Sequence, residues 1–217
     1  LRIAVDGPVG SGKTTVALKL AKKLGFDFLS TGLMYRYVGL LAECKCKGVE
    51  DLECLQRLMK VLDFQLQGDR LLVGGEPIGP EVRSEHAGEL ASKVAVLPEV
   101  RRVLTEHQRR LSEGRDIVVE GRDIGTVVLP DAEVKIFLVA TAEERAKRKY
   151  EEMKATGLEV SYEEILKQIK KRDRRDATRE IAPLKPADDA YIVDTTGKSV
   201  DQVVEEILRL LEERRVG

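Results

Sequence analysis

The sequence predicts an α/β fold in three layers, a central parallel sheet with helices on both faces. Three observations carry that prediction. Short, near-continuous apolar runs recur along the chain, as strands buried on both faces require. Segments with apolar residues at helical spacing separate those runs, which is the alternation of a parallel sheet. Finally, Gly7-Pro8-Val9-Gly10-Ser11-Gly12-Lys13-Thr14 satisfies G-x-x-x-x-G-K-[ST] in full, between one such strand and one such helix.

Leu1-Arg2-Ile3-Ala4-Val5 is the first strand, and Thr15 to Leu24 the helix behind the loop, stopped by Gly25. Phe26-Asp27-Phe28-Leu29 is the next strand, and Ser30-Thr31-Gly32 caps a helix from Leu33 to Lys45. A helix over Asp51 to Leu62 follows, with Leu52, Leu55, Leu58, Met59 and Leu62 at helical spacing. The period then shortens. Asp63 to Gln67 and Arg70 to Gly74 flank a Gly68-Asp69 turn and predict a β-hairpin, with Glu76-Pro77-Ile78-Gly79 as a short third strand. An antiparallel hairpin amid alternating helices and strands is an insertion, not part of the main sheet.

Helix returns from Val82 to Ser112, interrupted near Pro98. Ile117-Val118-Val119-Glu120 and Val134 to Val139 are buried strands, and Thr141-Ala142-Glu143-Glu144 opens a helix with a capping box. Helix resumes from Tyr162 to Asp176. Tyr191-Ile192-Val193-Asp194 is the last strand, and Val200 to Arg215 a closing amphipathic helix.

A chain of 217 residues has ample core for a single domain, here 1–217. The net charge of −1 argues against a general nucleic-acid binder, which normally carries a basic surplus. The 35% charged fraction is nearly balanced, so most of it is solvated helix face; with no Trp it is compatible with heat adaptation. No run is long enough to span a bilayer, and the chain enters a core strand at once, leaving no room for a signal peptide. The expectation is a soluble cytoplasmic monomer with no nucleic-acid or membrane partner. Cys44, Cys46 and Cys54 are odd in number and clustered without His, whereas a metal site wants four ligands and a disulfide framework an even count. They are expected to be buried or incidental thiols. His86 and His107 have no acidic or cysteine partner at ligand spacing and read as structural.

The glycine-rich loop implies a bound nucleoside triphosphate. Its glycines let backbone N–H groups curl around phosphate oxygens, and the helix behind presents its positive end. Gly7, Pro8, Val9, Gly10, Ser11, Gly12, Lys13, Thr14 and Thr15 are the candidate nucleotide-binding residues, with Lys13 on the β/γ-phosphates and the Thr14 hydroxyl on Mg²⁺. A nucleoside triphosphate as phosphate donor, with Mg²⁺, is thus expected, and ATP is the donor that a kinase reading takes.

A GTPase of the signalling type would want an N-K-x-D motif, which is absent. An ATP-driven motor would end its second apolar strand in Asp, often followed by Glu. Here that strand ends Glu120-Gly121-Arg122-Asp123, and an arginine entering the site suggests a phosphorylated acceptor. Glu120 can orient Mg²⁺ through water or merely end the strand. On the Tyr162 to Asp176 helix, Ile165 and Ile169 define an inward stripe that helical steps continue as Arg172, Asp176 and Arg179. Inward charges need partners, and a nucleotide phosphate and ribose would supply them; the alternative is a surface salt-bridge ladder, which suits Lys171 and Arg174. Tyr35 can stack near substrate or pack. Arg145 and Arg148, ahead of Ala155-Thr156-Gly157-Leu158, form a candidate lid pair over the transferred phosphate.

Specific signatures extend this. They are Asp6 to Lys13, Ser30-Thr31-Gly32-Leu33-Met34-Tyr35-Arg36, Ala91-Ser92-Lys93-Val94-Ala95 and Pro98-Glu99-Val100-Arg101. They continue with Gly121-Arg122-Asp123-Ile124-Gly125-Thr126-Val127-Val128, then Arg172-Asp173-Arg174-Arg175-Asp176 followed by Ala182-Pro183-Leu184. Over essentially the whole chain these resemble the bacterial-type cytidylate kinases, P-loop nucleoside monophosphate kinases that make CDP from CMP. The resemblance implies a three-layer P-loop kinase with a monophosphate-binding insertion around 62–90 and a short lid around 148–161. It implies that Thr31, Ser92, Arg101, Asp123 and Asp176 hold the base and sugar of CMP or dCMP. Arg36 and Arg122, helped by Arg172 and Arg179, would hold its phosphate, and Lys13, Arg122, Arg172, Arg179 and Arg148 would stabilise the transferring group. Two positions depart from the family pattern: Val9 replaces a small polar residue, and Thr31 replaces Ser while keeping the hydroxyl. A P-loop kinase for another small acceptor, such as a different nucleoside monophosphate or shikimate, is the competing enzyme reading; a nucleotide-switched binding module is the other.

Overall fold

The computed structural model describes residues 1–216. In chain order the elements are β1 (Arg2–Asp6), α1 (Lys13–Leu24), β2 (Asp27–Ser30), α2 (Thr31–Lys45) and α3 (Leu52–Val61). Then come β3 (Phe64–Gln67), β4 (Arg70–Val73), β5 (Glu76–Pro77), a 3₁₀ turn over Pro80–Arg83, α4 (Glu85–Val94) and α5 (Pro98–Ser112). The second half has β6 (Ile117–Gly121), a wide turn over Ile124–Val128, β7 (Val134–Val139), α6 (Ala142–Ala155), α7 (Tyr162–Ala177), β8 (Tyr191–Asp194) and α8 (Val200–Val216).

The main sheet is parallel throughout, in the order β2-β6-β1-β7-β8. Because successive side chains alternate across a strand, each strand feeds two cores. Ala4, Leu29, Ile117 and Val119 face α2 to α5, while Ile3, Val5, Phe28, Val118, Ile136 and Leu138 face α1 and α8. A smaller cluster of Ala146, Ile165 and Ile169 joins α6 to α7. The predicted hairpin is present as a separate antiparallel sheet, β3-β4-β5, anchored to the first core by fully buried Phe64. Gly39 lets α4 pack closely on α2: a Cβ there would meet Leu90 Cβ at 2.7 Å.

Five expectations are corrected. The helical stretch over Val82–Ser112 breaks near Pro98 as expected, with Pro98 opening α5, but it does not begin as α-helix: Val82 lies in a 3₁₀ turn and α4 starts at Glu85, capped by Ser84 through Ala87 N. Helix α2 begins at Thr31 rather than Leu33, and the Ser30 hydroxyl does not cap it, because it donates to Glu120 instead. The helix that carries Arg172 and Asp176 ends at Ala177, so Arg179 lies beyond the helical stripe that predicted it. Cys46 and Cys54 are not thiols but a disulfide, and Cys44 is exposed. The turn around Gly48 folds α3 back against the end of α2 and brings the two Cα atoms to 5.8 Å, within bridging range. The odd count hid this pair, since one cysteine is simply left over. His86 does have an acidic neighbour, Glu43 at 2.8 Å, brought from α2 on an exposed surface.

Candidate active site

Every parallel strand ends toward the same edge of the sheet, and loops leaving that edge define the cavity, as expected for open α/β sheets. The loop after β1 is the glycine-rich one. Gly12 has φ 84°, a left-handed conformation at the helix N-cap that favours glycine, and Gly7 would place a Cβ 2.7 Å from Leu138 O. No side chain caps α1 and no carboxylate lies in its first turn. Its leading N–H groups are therefore available to an anion, and nothing negative competes. Lys13 heads this helix, 3.5 Å from Pro8 O, with its pKa pushed down to about 8 by burial and by Arg122.

Thr14 donates its hydroxyl to Glu120 at 3.0 Å, and Ser30 donates to the same carboxylate oxygen. Glu120, buried at the end of β6, thus gathers the loop after β1 and the end of β2. A hydroxyl beside a buried carboxylate is a hard-oxygen donor set that suits a divalent cation such as Mg²⁺.

One cavity of about 840 Å³ spans the sheet edge. Its lining includes Val9 to Thr15, Thr31, Arg36, Ser92, Arg101, Arg122, Asp123, Arg148, Arg172, Asp176 and Arg179. Of the predicted site residues Gly7, Pro8 and the lid candidate Arg145 are set back from it. Lys171 and Arg174, assigned to the outer face of α7, do not line it. Tyr35 does, with the Arg101 guanidinium 5.7 Å above its ring, so this side chain both packs and faces the cavity. The lining adds Arg83, Arg175, Lys149 and Lys198, none of which the sequence singled out. A chain of nearly balanced charge thus concentrates cations at one place.

At one end Arg101 (5% exposed) and Asp123 (6% exposed) form a buried ion pair, and Arg101 also donates to Ala95 O at 3.1 Å. Thr31 donates its hydroxyl to Glu120 O at 2.9 Å, which leaves the oxygen lone pairs to accept. Beside this pair, Arg122 Nε stands 2.9 Å from Asp176 Oδ2. Arg122 Nη1, Arg172 Nε and Arg179 Nε are buried N–H groups without a hydrogen-bond partner among the described residues. Burial and the neighbouring Arg122 push the Arg172 pKa down to about 10, and the same two causes lower that of Arg36. Such crowding of unsatisfied guanidinium groups is costly unless an anion neutralises them. Arg36 is also tied down, donating to Val82 O at 3.0 Å and Ser84 O at 2.7 Å, which fastens the 3₁₀ turn to α2. Ser92 donates back to Gly88 O at 3.2 Å and keeps its lone pairs.

The lid pair is corrected in part. Arg148 lines the cavity, held by Thr195 Oγ1 at 3.1 Å and Thr195 O at 2.5 Å. Arg145, 4% exposed, cannot act as a free lid cation. It donates to Val9 O and Ala140 O at 3.0 Å each and clasps both Asp173 oxygens at 2.9 and 2.6 Å. Sequence spacing could not tell these two arginines apart, because both fall on the buried side of α6.

The architecture and the phosphate loop define a P-loop kinase fold. Solved structures agree: shikimate kinase from Bacteroides thetaiotaomicron superposes with a TM-score of 0.53 at 14% identity, covering 98% of each chain. Shikimate kinase from Acinetobacter baumannii gives 0.51 at 20% identity, over 100% of this chain and 95% of its own. Within that fold the chain belongs to the cytidylate kinase family, whose profile matches residues 3–213. It is 51% identical to the cytidylate kinase of Thermosipho melanesiensis, over 98% of this chain and 97% of that protein. It is 49% identical to that of Fervidobacterium nodosum, again over 98% and 97%. The cytidylate kinase of Vibrio cholerae is 44% identical over 99% and 97%.

Proposed function

We propose that this chain transfers the γ-phosphoryl group of ATP to CMP, and to dCMP, giving CDP or dCDP and ADP. The observation that carries this reading is the cluster of unpartnered guanidinium N–H groups on Arg122, Arg172 and Arg179 around Asp176, set beside the Arg101–Asp123 pair. A phosphate ester satisfies the first group, and a base with both a donor and acceptors satisfies the second.

Cytosine offers an amino donor next to a ring nitrogen and a carbonyl. The Thr31 oxygen and Asp123 can accept from the amino group while Arg101 donates to the acceptors. Uracil would set a carbonyl against those acceptors and leave them unpaired. Asp176 and Ser92 are placed for ribose hydroxyls, and Arg36, Arg122, Arg172 and Arg179 for the acceptor phosphate. At the other end the backbone of Gly7 to Thr15 and Lys13 hold the donor phosphates. Thr14, with Glu120 behind it, would hold Mg²⁺, which would supply charge neutralisation on the transferring group. Lys13, Arg122, Arg172, Arg179 and Arg148 surround the same space and stabilise charge that develops there. The attacking phosphate oxygen is already ionised, so no side chain need remove a proton. The insertion around 62–90 and the lid around 148–161, carried on the end of α6 and the connection to α7, close over both substrates and exclude water.

A coupled assay with ATP and Mg²⁺ across CMP, dCMP, UMP and shikimate tests the reading. CMP and dCMP are expected to react with the highest kcat/KM. Equal or faster turnover of UMP, or any preference for shikimate, would overturn it.

A further inference from the structure

The loop that carries Arg122 and Asp123 is held by a residue none of the assigned roles includes. Strand β1 ends at Asp6, directly before the phosphate loop, and Asp6 pairs in register with Gly121 of β6. Its side chain is 4% exposed and reaches across to the wide turn behind Asp123. Oδ1 accepts from Ile124 N and Oδ2 from Gly125 N, each at 2.8 Å. These are the first N–H groups of the Ile124–Val128 turn. Arg122 and Asp123 therefore lie in a two-residue span fixed at both ends, by strand pairing at Gly121 and by the Asp6 carboxylate at Ile124.

The chemistry of this anchor is specific. Two N–H donors on consecutive residues require two acceptor oxygens with the spacing of one carboxylate. Asparagine supplies one oxygen and would turn an NH₂ donor against the other N–H. No Lys or Arg is ion-paired with Asp6 among the described residues, and Asp123 and Glu120 lie near enough to add repulsion. Burial, first, and these neighbours push its pKa up to about 7. A carboxyl group kept in so unfavourable a place, where an apolar residue would suit the core, points to a positional requirement.

We infer that Asp6 is a positioning residue for the acceptor end: through Ile124 N and Gly125 N it sets the direction of Arg122 and Asp123, and it locks that reader to the first residue of the phosphate loop. The inference rests on the base- and phosphate-reading roles proposed above for Arg122 and Asp123. Donor and acceptor sites then share one rigid junction, with the residue that ends β1 serving both.

The test compares wild type with Asp6→Asn and Asp6→Glu, using steady-state kinetics in both substrates, CMP against UMP, a melting curve and amide hydrogen exchange over residues 122–128. Wild-type selectivity is measured first, and its failure would indict the proposed function rather than Asp6. In D6N the KM for CMP is expected to rise about tenfold and the CMP-over-UMP ratio to narrow, with KM for ATP within about twofold. Exchange at Ile124 and Gly125 should quicken. D6E keeps both acceptors on a longer arm, so exchange protection should persist while CMP affinity falls. Should D6N fail to fold, D6E carries the test on its own kinetic split. Unchanged CMP kinetics and selectivity in a folded variant, or equal losses toward ATP and CMP, would overturn the proposal.

Discussion

The two ends of the cavity are built by different physics. The proposed donor end is nine consecutive residues, Gly7 to Thr15, whose working groups are backbone N–H groups of the loop and the uncapped start of α1, with Lys13 as its principal charge. The acceptor end gathers side chains from α2, α4, α5, the loop after β6, α7 and the segment beyond it. The first is held in shape by local backbone geometry; the second by a balance of buried charges that is incomplete without a ligand. The phosphate loop is therefore constrained position by position, by the backbone angles and close approaches of Gly7, Gly10 and Gly12, whereas each charge at the acceptor end is coupled to its neighbours.

Lys13→Ala should produce the largest effect, because it removes the one side-chain charge of the donor end. Turnover is expected to fall by about a hundredfold or more with the fold intact. Stability supplies a sharper check. The folded pKa of Lys13 is lowered to about 8, so folding with it charged carries a cost below that pH. As pH rises from about 8 toward the unfolded value of 10.5 the folded state sheds its proton first, and the cost disappears. The melting temperature of wild type should thus gain on that of K13A across this window. Near-normal turnover in the variant would erase the contrast between the two ends.

Asp176→Asn comes next. It keeps size and removes the only carboxylate ion-paired with Arg122 among the described residues, leaving Arg122, Arg172 and Arg179 to repel one another. CMP binding and turnover should drop while ATP affinity stays nearly unchanged. Breaking a buried pair should also cost about 3 kcal/mol of stability, and added inorganic phosphate should restore more melting temperature to the variant than to wild type. A stability change under about 1 kcal/mol with normal CMP kinetics would return the cluster to an ordinary surface ladder.

Asp123→Ala probes a single pair within the acceptor end. It leaves the buried Arg101 without its carboxylate, so KM for CMP should rise and the preference over UMP narrow by roughly tenfold. Wild-type selectivity in this variant would move base reading to another pair, with Thr31 the first place to look.

What the sequence revealed of each end follows from the same contrast. The phosphate loop is contiguous, so its motif, its strand and its helix could be read together. Arg172 and Asp176 were legible because helical periodicity carried an apolar stripe into charge. Arg179 was reached by the same extrapolation although α7 stops at Ala177; its place comes from the chain turning back, with Arg179 donating to Ala182 O at 2.8 Å. Arg145 and Arg148 have equal claims in sequence, and only packing sends one to Asp173 and the other to the cavity. The Asp6 anchor and the Thr14–Glu120–Ser30 contacts join residues more than 80 positions apart, which no local pattern records. The disulfide escaped because counting cysteines says nothing about a turn that folds one helix end onto the next.

That disulfide gives the smallest expected effect on catalysis and the cleanest control for the comparison. It closes the α2–α3 turn, about 20 Å along α2 from Thr31 by helical rise. In the chain-entropy account a bridge between residues 8 apart stabilises by about 2–3 kcal/mol, mainly by restricting the unfolded chain. The double variant Cys46→Ser, Cys54→Ser should melt earlier by a few degrees. Its KM for CMP and for ATP should each stay within about twofold of wild type, and fully reduced wild type should behave the same way. Lower stability with unchanged kinetics would confine the bridge to the scaffold. A selective rise in the KM for CMP would mean that α2 transmits strain from its far end to Thr31 and Arg36. The acceptor end would then extend well beyond the residues that line it, and its contrast with the self-contained phosphate loop would be deeper still.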